Sequence, residues 1–321
     1  MKFKLLICIF SFLSFSCQRS PEYKQDQTYF QNEPPSYYNK GGNEQTTITK
    51  RIEMMGQPKK RVVVLRFWND TPVKVSDIGS FAAEELRRNL LATQRMLLPE
   101  EVHPDLTTQD VVQGSQVKTS QLIREGRRMG VSVLVIGRLP KIVFRQKGDD
   151  VGLFRQKQSL AAVDIEIKIF DVASGREILT TAKSGESSSN AIAVTEANDL
   201  ESGEFRSELT RLAVRNAVSS LVPDVIRSVE KMTWQGHIAK TTGTKVYVNA
   251  GKASGLVAGD ILKVLAQGDD IFDPTSGAFL GRTEGQLKGT VEVVDFIGTD
   301  GAITQVHTGG NFQSGDLVQL Y

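Results

Sequence analysis

Few side chains here could do chemistry, and none stand in a pattern that does. The 321 residues include three histidines and two cysteines. His103, His237 and His307 lie far apart, with neither helical nor zinc-finger spacing, so no metal site is expected. His103, next to Pro104, reads as a loop residue; the other two read as strand-edge residues. Gly251-Lys252-Ala253-Ser254 superficially suggests a phosphate loop. A working loop needs G-x-x-x-x-G-K-[ST], and here Val246 and Ala253 fill required positions, so the segment reads as a turn. Asp164 and Glu166 are two carboxylates on one face of an alternating segment, where a solvated strand face demands polar residues. Arg124, Arg127 and Arg128 make a basic patch, read as a solvated helix face, with anionic lipid or a partner as the alternative. Trp68 ends one strand and Trp234 follows a helix, and both read as packing residues. The expectation is a non-enzyme without metal, cofactor or small-molecule substrate.

One residue has a specific chemical expectation. Met1-Lys2-Phe3-Lys4, an apolar run from Leu5 to Phe15 and then Ser16-Cys17 have the layout of a secretory signal over residues 1–16. The apolar run is shorter than the ~20 residues of a spanning helix. Leu13-Ser14-Phe15-Ser16-Cys17 resembles a lipobox, with Leu four residues before the cysteine instead of three. The resemblance implies lipidation of Cys17, and several acyl chains anchor stably where one is marginal. Gln18 follows, not the Asp that resembles an inner-membrane retention signal, so the outer membrane, periplasmic face, is the expected location. Cleavage removes Cys8, Lys2 and Lys4, which leaves no intrachain disulfide and equal numbers of basic and acidic residues. That balance argues against nucleic-acid binding.

These residues must be positioned by a body that begins late. From Gln18 to Lys60 there is no Leu and no Val; Gln, Asn, Lys, Tyr, Glu and Pro prevail, with Pro34-Pro35-Ser36 and Gly41-Gly42-Asn43. Such a stretch buries too little to offset its ordering entropy, so residues 17–58 read as the lipidated cysteine and a disordered tether. Tyr29, Phe30, Tyr37 and Tyr38 are its anchors if it folds on a partner.

Residues 59–235 read as α/β. Arg61–Phe67 is a β-branched run closed by a turn. Ser76-Asp77 can cap a helix with Ile78, Phe81, Ala82, Leu86, Leu90 and Leu91 inward. Met96–Pro99 reads as a short strand, Ser120–Met129 as a helix and Val131–Leu139 as a buried strand. Val163–Val172 alternates apolar and polar, turns at Ala173–Arg176 and returns over Glu177–Ser184. Glu204–Met232 is a long amphipathic helix that Pro223 should kink or split.

"RVVVLRFWNDT", "MGVSVLVIGRL", "VDIEIKIFDVASGREI" and "SELTRLAVRNAVSSLV" resemble, in order and spacing, the curli-assembly CsgG family. The TolB amino-terminal domain and the FlgT middle domain are similar. Asp171-x-x-Ser174-Gly175-x-x-Ile178 looks like that family's hairpin. The resemblance implies a mixed sheet with packed helices and, as in CsgG, a pore built from two hairpins per subunit. The corresponding segments, Lys141–Leu160 and Thr180–Phe205, are rich in charge. A lipid-facing Arg or Lys at mid-bilayer costs roughly 2–4 kcal/mol, so soluble loops or hairpins are expected there.

Residues 236–321 change grammar to short β runs with Gly and Asp turns, the pattern of a small all-β, barrel-like domain. Ala258-Gly259-Asp260-Ile261-Leu262 is echoed by Ser314-Gly315-Asp316-Leu317-Val318. "VYVNAGKASGLVAGDILKVL", "DPTSGAFLG" and "GTVEVVDFIGTDGAI" are similar to the FlgT carboxy-terminal domain. Together these readings lead to the expectation of a non-catalytic lipoprotein scaffold for an envelope machine, a flagellar-type ring or secretion apparatus. Its partners would be the membrane, through lipid, envelope proteins and other copies of itself. A CsgG-like export channel is the alternative, and a regulator of a cell-wall synthase the second.

Overall fold

The computed structural model describes residues 56–73, 75–100, 104–114, 116–148, 156–192 and 203–321. Cys17, His103 and the signal and tether lie outside them, apart from residues 56–58.

Val62–Val64 forms β1 and pairs in parallel with β5, Val133–Gly148; β2, Trp68–Asn69, also pairs with β5. Strands β6 (Gln156–Asp171) and β7 (Glu177–Ile192) continue the sheet antiparallel, in the order β1-β5-β6-β7. Alternation in β1, β5 and β6 sorts the core into two. Val62, Val133, Val135, Ile165, Ile167 and Ile169 point to one side, where α1 (Ile78–Ala92) and α4 (Gly203–Glu230) lie. Val63, Leu65, Leu134, Ile136, Phe170 and Val172 point to the other, against Leu122 and Ile123 of α3 (Thr119–Arg128). A strand run covered on both faces is near-continuously apolar, as the sequence of β1 and early β5 is. Between α1 and α3, the single turn α2 (Thr108–Val111) is closed by a capping box, with the Thr107 amide and hydroxyl both donating to Asp110 at 2.7 Å. The small hairpin β3 (Val112–Gln113) and β4 (Gln116–Val117) follows it.

Several local expectations are corrected. Asp77 sits before α1 with φ 53°, and no side chain caps the helix; Leu91 faces outward. Met96–Pro99 contributes a single parallel bridge, Arg61 to Leu97, because Leu97 trades hydrogen bonds only with Lys60 and Val62. Pro223 does not split α4, which is continuous over 28 residues. Both Pro223 and Ser219, whose carbonyl loses its donor, are exposed, so water can satisfy that carbonyl. At 141–160, by contrast, the described residues do form one of the expected hairpins, as continuations of β5 and β6; at 180–205 they continue β7 to Ile192 and, from Gly203, begin α4. Pairing runs out to Gly148–Lys157 and Gln156–Ile192.

The second half of β7 is held by α4. Gly185 lies so close that a Cβ there would be 2.1 Å from the Ala213 carbonyl oxygen. Beside it, Asn216 donates to the Glu186 carbonyl at 2.7 Å. Phe205 and Leu209 at the start of α4 pack on the same core as Ile142 and Phe144.

Past α4, β8 (Gly236–Thr242), β9 (Lys245–Val248), β10 (Ile261–Leu265), β13 (Leu287–Ile297), β14 (Gly301–Gly309) and β15 (Leu317–Leu320) form a closed six-stranded barrel. Its core is Val246, Val248, Leu262, Val264, Val291, Val293 and Val318, plugged by Trp234. The hairpin β11 (Asp270–Phe272) and β12 (Phe279–Arg282) stands off the barrel where the sequence indicated a turn alone.

The repeated Gly-Asp motif is one device used twice. Gly259 and Gly315 adopt φ of 89° and 92°, a region open to glycine. Asp260 then accepts from the Val257 amide at 2.9 Å, and Asp316 from the Gln313 amide at 2.7 Å. Each turn launches one of the two strands that pair with each other, β10 with β15. Asp316 is buried and also takes Lys288 Nζ at 2.8 Å. Buried carboxylates persist only when satisfied in this way.

Candidate functional site

The α/β lobe and the barrel meet along a polar seam, and the seam holds the charged groups of interest. Residues 58–62 run along it. The Lys59 amide donates to the Ser254 carbonyl at 2.7 Å, and Pro58 beside it is buried. Arg61 Nη1 donates to the Asn249 carbonyl at 2.7 Å. Lys60 is 4% exposed, with Nζ 3.3 Å from the Glu230 carbonyl and from Gln57 Oε1. Burial pulls its ammonium below the usual lysine range, with Glu230 opposing. Asn249 knits the lobes: its Nδ2 donates to the Gly130 carbonyl at 2.9 Å and its Oδ1 accepts from the His237 amide at 2.7 Å.

Along this seam opens a cleft walled by Arg127 and Arg128 from the end of α3, His237 from β8, Arg282 from β12, and Gln267 and Ser314. Asp270 stands behind the wall. It takes Arg127 Nη2 at 2.9 Å and lies 2.8 Å from Arg282 Nε. Arg282 is buried, its side chain 4% exposed, and its Nη2 also donates to the Gly268 carbonyl. Burial first, and then Arg127, disfavour the Arg282 charge, against Asp270 and the exposed Asp269. Burial, with Arg61 and Arg282 adding repulsion, pushes His237 down to about 4. The imidazole is therefore neutral at physiological pH while the guanidiniums around it stay charged.

The basic patch of the sequence is thus divided. Arg124 faces solvent. Arg127 turns into the cleft. Arg128 binds Glu125 at 2.7 Å and Asp105 at 2.8 Å, and holds the Glu125 carboxyl below its ordinary range, chiefly by hydrogen bonding. Asp164 and Glu166 are paired on the wet strand face, Asp164 with the Ser184 hydroxyl at 2.6 Å and Glu166 with Arg138 at 2.8 Å. His307 is the extra residue where the β13–β14 register shifts, inside the strand and not at its edge. The segment Gly251–Ser254 wraps a carboxylate of its own chain. The amides of Gly251 and Ser254 donate to Asp300 Oδ1 at 2.7 and 2.9 Å, and the Ser254 hydroxyl to Oδ2 at 2.6 Å. The sequence reading missed Arg61, Asp270 and Arg282, which lie on three separate segments; no local signal links them.

Two further surfaces matter. Strand β7 is the outer strand of its sheet, paired only with β6 among the described residues. The β11–β12 hairpin exposes Ile271, Phe272 and Leu280, the last at 61%. Among the described residues no three His, Cys, Asp or Glu side chains converge on a metal position, and no helix is long and apolar enough to cross a membrane.

No family model matches the chain, and no curated protein does. Among solved structures it is similar to a hypothetical protein from Chlamydia trachomatis, at 16% identity and a TM-score of 0.36, over 53% of this chain and 98% of that one. A lipoprotein from Neisseria meningitidis is similar at 12% identity and a TM-score of 0.27, over 54% of this chain and 99% of that one. A minor lipoprotein from Acinetobacter baumannii is similar at 11% identity and a TM-score of 0.28, over 52% and 93% respectively. TM-scores this low carry no inference about what this chain does.

Proposed function

We propose that the chain is a non-catalytic lipoprotein, anchored through Cys17 to the periplasmic face of the outer membrane, that serves as an assembly or scaffold component of an envelope machine. The observation that carries this reading is the outer edge of β7. A sixteen-residue strand, fixed on one side by α4 and paired on one edge only among the described residues, offers a row of backbone donors and acceptors to a further strand. The polar segment between Cys17 and Pro58 gives that edge reach from the membrane and raises the effective concentration of partners there. The machine we favour is a flagellar-type ring or secretion apparatus, on the resemblance of the two lobes to the CsgG and FlgT families.

The test is in cells. Palmitate labelling and outer-membrane fractionation of the wild type and Cys17→Ala should show label and membrane residence lost together. A photo-crosslinker at Ser187 on β7 should capture an envelope protein or a second copy, and capture should fall in Cys17→Ala. An unlabelled, freely soluble wild type would remove the anchor from the proposal. Membrane residence without capture from β7 would remove the scaffold edge.

A second reading, the CsgG-like export channel, draws support from continuous pairing of β5, β6 and β7 through the segments that would form barrel hairpins. The packing of α4 on Gly185 and Glu186 weighs against it, since that face is already occupied. Stepwise conductance in planar bilayers would reverse the preference.

A further inference from the structure

We infer that the cleft between the two lobes is a binding site for an oxyanion, a phosphate or carboxylate group held between Arg127 and Arg282. Three arginines and a neutral imidazole wall the cleft, and among the described residues no aspartate or glutamate reaches its surface. The carboxylates that balance these cations stand elsewhere: Asp270 behind Arg127 and Arg282, Asp269 exposed beyond it, and Glu125 and Asp105 on Arg128.

Donor use points the same way. Arg127 spends Nη2 on Asp270, and its buried Nε makes no hydrogen bond among the described residues. Arg282 spends Nη2 on Gly268 and sets Nε against Asp270. Among the described residues Nη1 of neither guanidinium has a hydrogen-bond or ion-pair partner, which leaves it for a ligand. A planar fork with free donors matches phosphate and carboxylate geometry. Two forks that share a single half-buried carboxylate carry surplus positive charge where water is partly excluded, and an anion relieves it. Burial first, and then the charges of Arg61 and Arg282, keep His237 neutral, and its neutral ring can still donate one hydrogen bond. The site is independent of the scaffold reading and of the lipid.

Equilibrium dialysis of the full chain in neutral detergent at low ionic strength tests this, with inorganic phosphate and succinate as probes and phosphatidylglycerol vesicles as a third arm. Saturable binding of one phosphate or succinate per chain is expected, weakened at least tenfold in Arg127→Gln and unchanged in Arg124→Gln. The imidazole resonances of His237 should titrate at higher pH in the presence of the bound probe, a readout available without any variant. Binding to vesicles alone, with the same dependence on Arg127, identifies a lipid headgroup as the source of the anion and supports the site. Equal losses in Arg124→Gln and Arg127→Gln would mean diffuse surface attraction and overturn the proposal. So would the absence of binding in all three arms, or binding that leaves the His237 titration unmoved.

Discussion

Replacing His237 by glutamine should flatten part of the acid dependence of stability. In the fold, burial and the charges of Arg61 and Arg282 push the imidazole from its ordinary 6.5 to about 4. The unfolded chain therefore binds more protons between those values, and stability rises with pH across the window. The contribution is fully present above about pH 6.5 and is lost progressively as pH falls toward 4. At pH 4.5 the unfolded imidazole is almost fully protonated and the folded one only about a quarter so. The difference is about 2.5 kcal/mol of lost stability relative to pH 7.5. Urea unfolding of wild type and His237→Gln at pH 7.5 and 4.5 measures it. Any fixed cost of the substitution cancels, because the readout is how the gap between the two proteins changes with pH. The carboxyls of Glu125, Asp110 and Asp273 are held below their ordinary range by hydrogen bonds, but they are present in both proteins, so their contribution cancels. The gap should move by about 2.5 kcal/mol in favour of the variant at the lower pH. A gap that moves by less than about 0.5 kcal/mol would show that His237 is not held in a positive, partly dry cleft, and would undercut the electrostatic description of the seam.

Other perturbations have defined signs. Gly185→Val should destabilise by at least about 3 kcal/mol, read by urea unfolding, since the Cβ would enter the Ala213 carbonyl and force β7 off α4. Asp300→Ala strands the amides of Gly251 and Ser254 and should cost about 3 kcal/mol in the same assay, with Asp300→Asn recovering part of it. Pro223→Ala should raise stability by about 1–3 kcal/mol, visible as a higher thermal midpoint, because the position is exposed and alanine restores the missing helical donor. Lys288→Met should cost about 3 kcal/mol by leaving Asp316 buried without its cation, and Lys288→Met with Asp316→Asn should cost less than the sum of the separate changes.

The sequence announces elements wherever burial is uniform along them. Val62–Leu65, Val133–Ile136 and the alternation from Val163 to Ile169 are legible because their faces are buried in register with the strand period. The same strands continue past Ile142 and Ser184 into Lys, Gln and Ser residues, where no apolar alternation marks them. They persist as strands because β6 pairs with β5 on one side and β7 on the other along this length, and α4 lies across one face. Their length is a tertiary property that local pattern reading misses. The helix start at Asp77 misleads for a related reason: the residue type suits a cap, but the backbone turns left-handed there and the carboxylate lies 3.7 Å from Arg66 instead. The Gly-Asp echo is legible in full, since turn chemistry is local. The cleft is not. Its arginines come from the end of a helix and from a hairpin off the barrel, and only the docking of one lobe on the other brings them together.

The strap at residues 58–62 touches both lobes in alternation: Lys59 the barrel, Lys60 the end of α4, Arg61 the barrel again, Val62 the α/β lobe. Traction on the preceding chain is therefore delivered to the join between the lobes before it reaches either fold. A body moored from that side would transmit a mechanical load into the very contacts that shape its cleft, so that pulling and ligand occupancy become linked quantities.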